Sequence, residues 1–309
     1  MSYDEHDVQN KRQRYSPSAQ DYLAEDREDE DDGSHGESSR VSSTRRPLEP
    51  SILNAEPWDE VMRTVADWIH ANIHGKTNIE IEGKVGRIID TSTGKRLVEI
   101  LPIRTETILS DDRIGIRFEA DMSKVHHQKF NQMLNQLHAS YSRPDYKFSR
   151  IDYKHERLVD SFYALPGGGT DKLRVTRDAR TGQTKESIVK QRIANLNVLC
   201  PGSLADWRVS VNIEDPVPQP SAARELYQRQ KDRLSYVHQD FRIDLTQVKS
   251  QGDSEGDRTS HELEIEFANP VELMSFAAAR GNESSPECDT FDEMVRIFVN
   301  NCRVMVRNL

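Results

Sequence analysis

The sequence predicts an α+β fold in which a β-sheet wraps into a barrel and helices pack outside it. Three observations carry that prediction. Six segments alternate charged and apolar residues at the strand period, and four stretches repeat apolar residues at helical spacing. The charged sets also recur far more densely than a solvated sheet face requires. One such strand is ordinarily a face turned to water. Six of them leave six apolar faces to cover. A closed barrel with helices outside covers those faces and turns the charged ones into the lining of a lumen.

The 309 residues suffice for one large domain and a tail. Residues 1–50 are expected to be disordered: they hold 13 acids against 7 bases, and Glu25–Asp32 has seven acids in eight positions. Such a segment buries too little apolar surface to offset its ordering entropy. The net charge of −10 therefore leaves only about −4 on residues 51–309, and any basic pocket has to be local. Lys11-Arg12-Gln13-Arg14 reads equally as a nuclear import patch or as solvated tail residues. Cys200, Cys288 and Cys302 are scattered without a CxxC pair, so no zinc site follows and a reduced compartment is expected. There is no run of about 18 apolar residues to cross a membrane as a helix.

Order is expected from Pro57, where Trp58, Val61, Val65, Trp68, Ile69 and Ile73 recur at helical spacing, with Pro57 in the first turn and Gly75 as a stop. A second helix follows Ser123, with Val125, Phe130, Met133, Leu134 and Leu137 on one face. A third follows Asn269-Pro270, and a fourth runs from Thr290 with Phe291, Met294, Val295, Phe298 and Cys302 as its stripe. Between them come the strands. Glu80, Glu82 and Lys84 alternate with Ile79, Ile81 and Val85. Arg174 and Thr176 alternate with Leu173 and Val175, while Lys190 and Arg192 precede Ile193. Arg208, Ser210, Asn212 and Glu214 alternate with Trp207, Val209, Val211 and Ile213. Arg242, Asp244 and Thr246 alternate with Phe241, Ile243 and Leu245, and Glu262, Glu264 and Glu266 with Leu263, Ile265 and Phe267.

A lumen built this way gathers Lys84, Arg174, Lys190, Arg192, Arg208, Arg229, Lys231, Arg233 and Arg242, faced by Glu80, Glu82, Glu214, Asp244, Glu262, Glu264 and Glu266. Residues two apart on a strand sit roughly 6.6–6.8 Å apart and point the same way. Glu80 and Glu82 can thus reach one small cation, with Glu266 or Glu264 closing the site from a neighbouring strand. Carboxylates without His or Cys suit a hard ion, Mg²⁺ or Mn²⁺. Arg and Lys suit phosphate oxygens. Metal and cations together would neutralise charge on a transferred phosphoryl group, and Glu214 or Glu264 can orient the attacking water. The competing reading is a set of internal salt bridges in a barrel that binds polyanions without catalysis. Other motifs fail: Gly75-Lys76-Thr77 lacks the P-loop glycine because residue 70 is His. Pro166-Gly167-Gly168-Gly169 is a connection, and His70 with His74 lacks a third ligand.

The segments Ile79–Lys84, Arg174–Thr176, Arg208–Glu214, Arg229–Arg233, Arg242–Thr246 and Glu262–Glu266, in this order, resemble the fungal RNA 5′-triphosphatases. These are the β subunits of the mRNA capping apparatus, among the triphosphate tunnel metalloenzymes. The resemblance extends from about residue 57 to residue 309. It implies a closed eight-stranded antiparallel barrel spanning the catalytic domain (51–309), a homodimer and a nuclear location. It also implies conversion of 5′-triphosphate RNA to 5′-diphosphate RNA and phosphate before guanylyl transfer, with free nucleoside triphosphates also hydrolysed with manganese. In that pattern Glu80, Glu82 and Glu266 bind the metal, and Arg174, Lys231 and Arg233 grip the γ-phosphate. Lys190, Arg208 and Arg242 are further basic lining beside Lys84 and Arg229. Asp244 and Glu264 match residues holding a metal-bound water, and Glu214 the residue orienting the nucleophile. A tripolyphosphatase or thiamine triphosphatase of the same superfamily is the nearest alternative. The budding-yeast type carries a Trp-rich peptide that docks the guanylyltransferase. The tryptophans here are Trp58, Trp68 and Trp207, so the guanylyltransferase remains a partner only without that recognisable peptide, and the tail is expected to serve another partner, such as the transcription machinery, or none.

Overall fold

The computed structural model describes residues 50–54, 57, 59–109, 115–165, 171–220, 224–251, 258–282 and 284–309. The acidic tail up to residue 49, Trp58 and Pro166–Gly169 lie outside the described residues. Pro57–Leu309 is one compact unit. Helix α1 (Glu60–Ile73) leads into β1 (Ile79–Asp90), the short β2 (Thr107–Leu109) and β3 (Ile116–Glu119), then helix α2 (Lys124–Tyr141). The long strands follow: β4 (Asp152–Ala164), β5 (Lys172–Asp178), β6 (Thr184–Leu199), β7 (Asp206–Pro216), β8 (Glu225–His238), β9 (Phe241–Gln251) and β10 (Arg258–Phe267). Helices α3 (Pro270–Ala279) and α4 (Thr290–Arg307) come last.

Strands β10, β9, β8, β4, β5, β6, β7 and β1 pair in that order, all antiparallel, and β1 pairs again with β10. The sheet therefore closes on itself as an eight-stranded barrel, as expected. β2 adds to β6, and β3 adds to the end of β1 outside the ring. The hydrophobic core lies outside the barrel wall. Ile79, Ile81 and Val85 of β1, Trp207, Val209 and Val211 of β7, and Leu263, Ile265 and Phe267 of β10 form one cluster with helix side chains. From α1 come Val65, Ala66, Ile69 and Ile73; from α4 come Phe291, Val295, Phe298, Val299 and Cys302. Each of the larger side chains contributes about 1.5–3 kcal/mol by leaving water, and together they hold the charged faces inward.

The helix boundaries follow local chemistry. Asp59 caps α1, its carboxylate accepting from the Met62 amide at 3.0 Å, so Pro57 precedes the cap instead of occupying the first turn. Gly75, at φ 69°, ends it. Ser123 caps α2 and Asn269 caps α3, with Pro270 at its start. The α2 stripe is narrower than its spacing suggests: Phe130 and Leu134 are buried, but Val125 is 62% exposed. Gly83 in β1 lets α4 approach closely, since a Cβ there would meet Cys302 Sγ at 2.7 Å. β4 and β8 are the barrel strands that alternation does not mark. In β4, Lys154, Glu156, Leu158 and Phe162 line the interior, while His155 and Arg157 on the other face are also polar. The period-2 contrast therefore vanishes.

Candidate active site

The barrel encloses a cavity of about 600 Å³. Its wall includes Glu80, Glu82, Lys84, Arg174, Lys190, Arg192, Glu214, Arg229, Lys231, Arg233, Arg242, Glu262, Glu264 and Glu266. Two expected residues are not on that wall. Asp244 is completely buried, held behind Arg233 at 3.0 Å and Arg242 at 3.3 Å. Arg208 points along β7 towards the β3 end. There it donates to Asn197 at 2.8 Å and its guanidinium lies 4.6 Å over the Phe118 ring.

Barrel closure builds the acid cluster. Glu82 and Glu266 are register partners across the β1–β10 seam, and Glu80 precedes Glu82 by two residues on the same face of β1. Carboxylate oxygens of the three lie within 4.8 Å of one another. A second group with the same spacing comprises Asp244, Glu264 and Glu266. Asn212, completely buried on β7, donates to Glu80 at 2.8 Å and to Glu82 at 3.2 Å.

The cations are distributed around these acids as preformed pairs. Lys190 bonds Glu80 and lies 3.2 Å from Glu214 and 3.7 Å from Glu82. Lys84 bonds Glu264 and sits 3.2 Å from Glu82. Arg174 donates to Glu186 at 2.8 Å and to Glu214 at 3.3 Å. Arg242 bonds Glu266, Arg233 lies 3.4 Å from Glu264, and Arg229 donates to Glu262 at 2.9 Å. Lys231 pairs at 2.5 Å with Asp160. That aspartate is completely buried on β4 and also accepts from Thr176 at 2.7 Å. Asp160 is not marked in the sequence, because β4 does not alternate; the spacing of Lys154 and Glu156 is its one available signal. Asn212 sits in an alternating strand without standing out there, because an amide carries no charge.

Electrostatics separate these groups. Burial alone would lower Lys84 and Lys190, but carboxylates outweigh it, and the Lys190 pKa rises to about 12 under Glu82, Glu80 and Glu214. Glu264, Glu82 and Glu262 do the same for Lys84. Lys231 moves the other way: burial, with repulsion from Arg233 and Arg174, exceeds what Asp160 restores. Glu264 is held well below the usual carboxylate range, Lys84 and Arg233 outweighing its burial. Glu266 is pushed up to about 8 by burial and by Glu80, Glu264 and Asp244, despite Arg242.

That excess of buried negative charge is the feature a cation relieves. Asp244 Oδ1 is likewise buried with no hydrogen-bond donor among the described residues. The donor set is carboxylate oxygen throughout, which fits a hard divalent ion that keeps part of its hydration shell. Around it stand donors shaped for phosphate oxygens. Such a wall can bind a polyphosphate, with a divalent ion beside it.

Comparison with known proteins agrees with this architecture. The family model described as mRNA capping enzyme, beta chain, matches residues 55–309. The chain is 33% identical over 279 residues to the mRNA-capping enzyme subunit beta of Schizosaccharomyces pombe, covering 88% of this chain and 89% of that one. It is 33% identical over 284 residues to the subunit of the same name from Cryptococcus neoformans, covering 90% and 69%. Its fold is similar to that of the S. pombe Pct1 RNA triphosphatase solved in complex with the Spt5 CTD. The TM-score there is 0.76 at 31% identity, covering 85% of this chain and 100% of that one. The chain belongs to the family of mRNA capping enzyme β chains.

Proposed function

We propose that this chain is an RNA 5′-triphosphatase of mRNA capping that removes the γ-phosphate of 5′-triphosphate RNA, leaving 5′-diphosphate RNA. One observation carries the reading: three carboxylates within 4.8 Å of one another face a ring of Arg and Lys inside a closed barrel. A pure anion binder gains nothing from placing Glu80, Glu82 and Glu266 beside its phosphate.

Arg174, Lys231 and Arg233 take the γ-phosphate oxygens. Lys84, Lys190, Arg229 and Arg242 line the remainder of the triphosphate path. Their present carboxylate partners hold them in place beforehand, so little reorganisation accompanies the reaction. Glu80, Glu82 and Glu266 would hold Mg²⁺ or Mn²⁺, which when bound neutralises charge on the phosphate oxygens. Asp244 and Glu264 complete the acid cluster and fix Arg233. Glu214, held by Arg174 and Lys190, accepts a hydrogen bond from the attacking water and aligns it with the γ-phosphorus. The diphosphate end is then the substrate of guanylyl transfer.

The chain acts in the nucleus as a homodimer. Its docking partner is the transcription machinery, a reading supported by the S. pombe relative's complex with the Spt5 CTD; direct docking to the guanylyltransferase would need a site other than a Trp-rich peptide. Phosphate release from γ-labelled triphosphate RNA, with and without Mg²⁺ or Mn²⁺, tests the assignment, with well-folded Glu80→Gln beside wild type. Release is expected with metal and in wild type alone. Robust activity in excess EDTA, or in Glu80→Gln, would overturn the metal assignment. Cleavage of inorganic tripolyphosphate without cleavage of RNA would overturn the substrate.

A further inference from the structure

One rim of the tunnel departs from the charged lining. β4 ends two residues after Phe162, β5 starts at Lys172 and β8 starts at Glu225. Phe162 and Tyr227 are register partners between β4 and β8, stacked with ring centroids 4.6 Å apart and planes at 16°. Lys172 Nζ lies 4.8 Å over the Tyr227 ring. Among the described residues, Phe162 is the one aromatic side chain on the cavity wall, and both rings are half-buried. The apolar surface that these rings expose among the described residues, at a charged rim, costs free energy that a planar partner would recover.

The spacing is that of a nucleotide. Arg174 stands directly opposite Phe162 in the β4–β5 pairing, while Tyr227 is four residues from Lys231, so the stack lies roughly 13 Å along β8 from that lysine. Two further phosphates and a ribose fill that interval.

We infer that the Phe162–Tyr227 stack, with Lys172 beside it, seats the nucleobase of the 5′-terminal nucleotide while its triphosphate lies in the tunnel. This rests on reading the lumen as the triphosphate site. Every base presents a π-face, so the seat accepts all four and favours nucleotides over inorganic polyphosphate. Lys172 adds positive charge where the backbone leaves the barrel.

The test compares wild type, Phe162→Ala and Phe162→Trp on triphosphate RNA, a nucleoside triphosphate and inorganic tripolyphosphate, with metal present. Phe162→Ala is expected to raise KM roughly tenfold for both nucleotide substrates, with kcat and tripolyphosphate cleavage held at wild-type values. Phe162→Trp is expected to restore KM. Unchanged KM for RNA in Phe162→Ala would overturn the inference. An equal loss on tripolyphosphate would also overturn it, because the rim would then act on barrel structure. A wild type that cleaves tripolyphosphate alone would instead remove the substrate reading, and the nucleobase seat with it.

Discussion

Glu82 and Glu266 face each other in register across the seam where β1 meets β10, and they are 1% and 6% exposed. The same pairing that closes the barrel thus buries two carboxylates side by side, with Glu80 completing the group. Burial, joined by repulsion from Glu80, Glu264 and Asp244, outweighs the Arg242 contact and pushes the Glu266 pKa up to about 8.

A divalent cation should therefore stabilise the fold as well as support catalysis. Saturating Mg²⁺ or Mn²⁺, at about 100 times Kd, is expected to add about 2.7 kcal/mol to unfolding stability. Thermal melts with metal and with EDTA check this. Glu80→Gln should lose most of the metal-induced shift in Tm, and an equal shift in that variant would place the ion elsewhere.

Arg233 reaches Asp244 at 3.0 Å and Glu264 at 3.4 Å through two different nitrogens. Lysine keeps the charge but has no second nitrogen in a fixed fork. Arg233→Lys is expected to lower kcat by about 10²–10³ if the guanidinium stabilises the transition state. Steady-state kinetics decide it, and a change confined to KM would show ground-state binding instead.

Asp160 and Lys231 form a buried pair at 2.5 Å. Burial would raise the Asp160 pKa, but Lys231, Arg174 and Thr176 outweigh it and hold the carboxyl below its ordinary value. A depressed carboxylate stabilises the fold fully above its unfolded pKa of about 3.9, and that stability is lost as pH falls through the lower folded value. Asp160→Asn is expected to cost about 3 kcal/mol near neutral pH. Urea titrations taken from about pH 7 towards pH 2 should show the gap to wild type narrowing. A constant gap would mean that packing, not charge, is what the aspartate supplies.

Gly83 joins β1 to the outer core. A Cβ there would lie 2.7 Å from Cys302 Sγ and 3.0 Å from the Phe298 ring. Gly83→Ala is expected to cost about 1–3 kcal/mol by forcing α4 away from β1. Calorimetry measures the loss, and Gly83→Ala combined with Cys302→Ala should recover part of it.

Alternation alone made much of this architecture legible. The inward set of β1, β7, β9 and β10 could be read residue by residue, because a strand's period of two assigns each side chain to a face before any partner is known. The helix caps at Ser123 and Asn269 were local as well. β4 was not legible, since charges on both of its faces erase the contrast that marks a strand, and Asp160 was lost with it. The tertiary structure alone decided which carboxylates meet. Glu266 is 184 positions after Glu82, and the register of one seam, fixed by helices packing on the opposite face, makes them neighbours. The placement of Asp244 behind two arginines and of Arg208 against Phe118 came from the same source. Period assigns a face, but depth and distance along a closed barrel depend on strand register, and register is a property of the whole sheet.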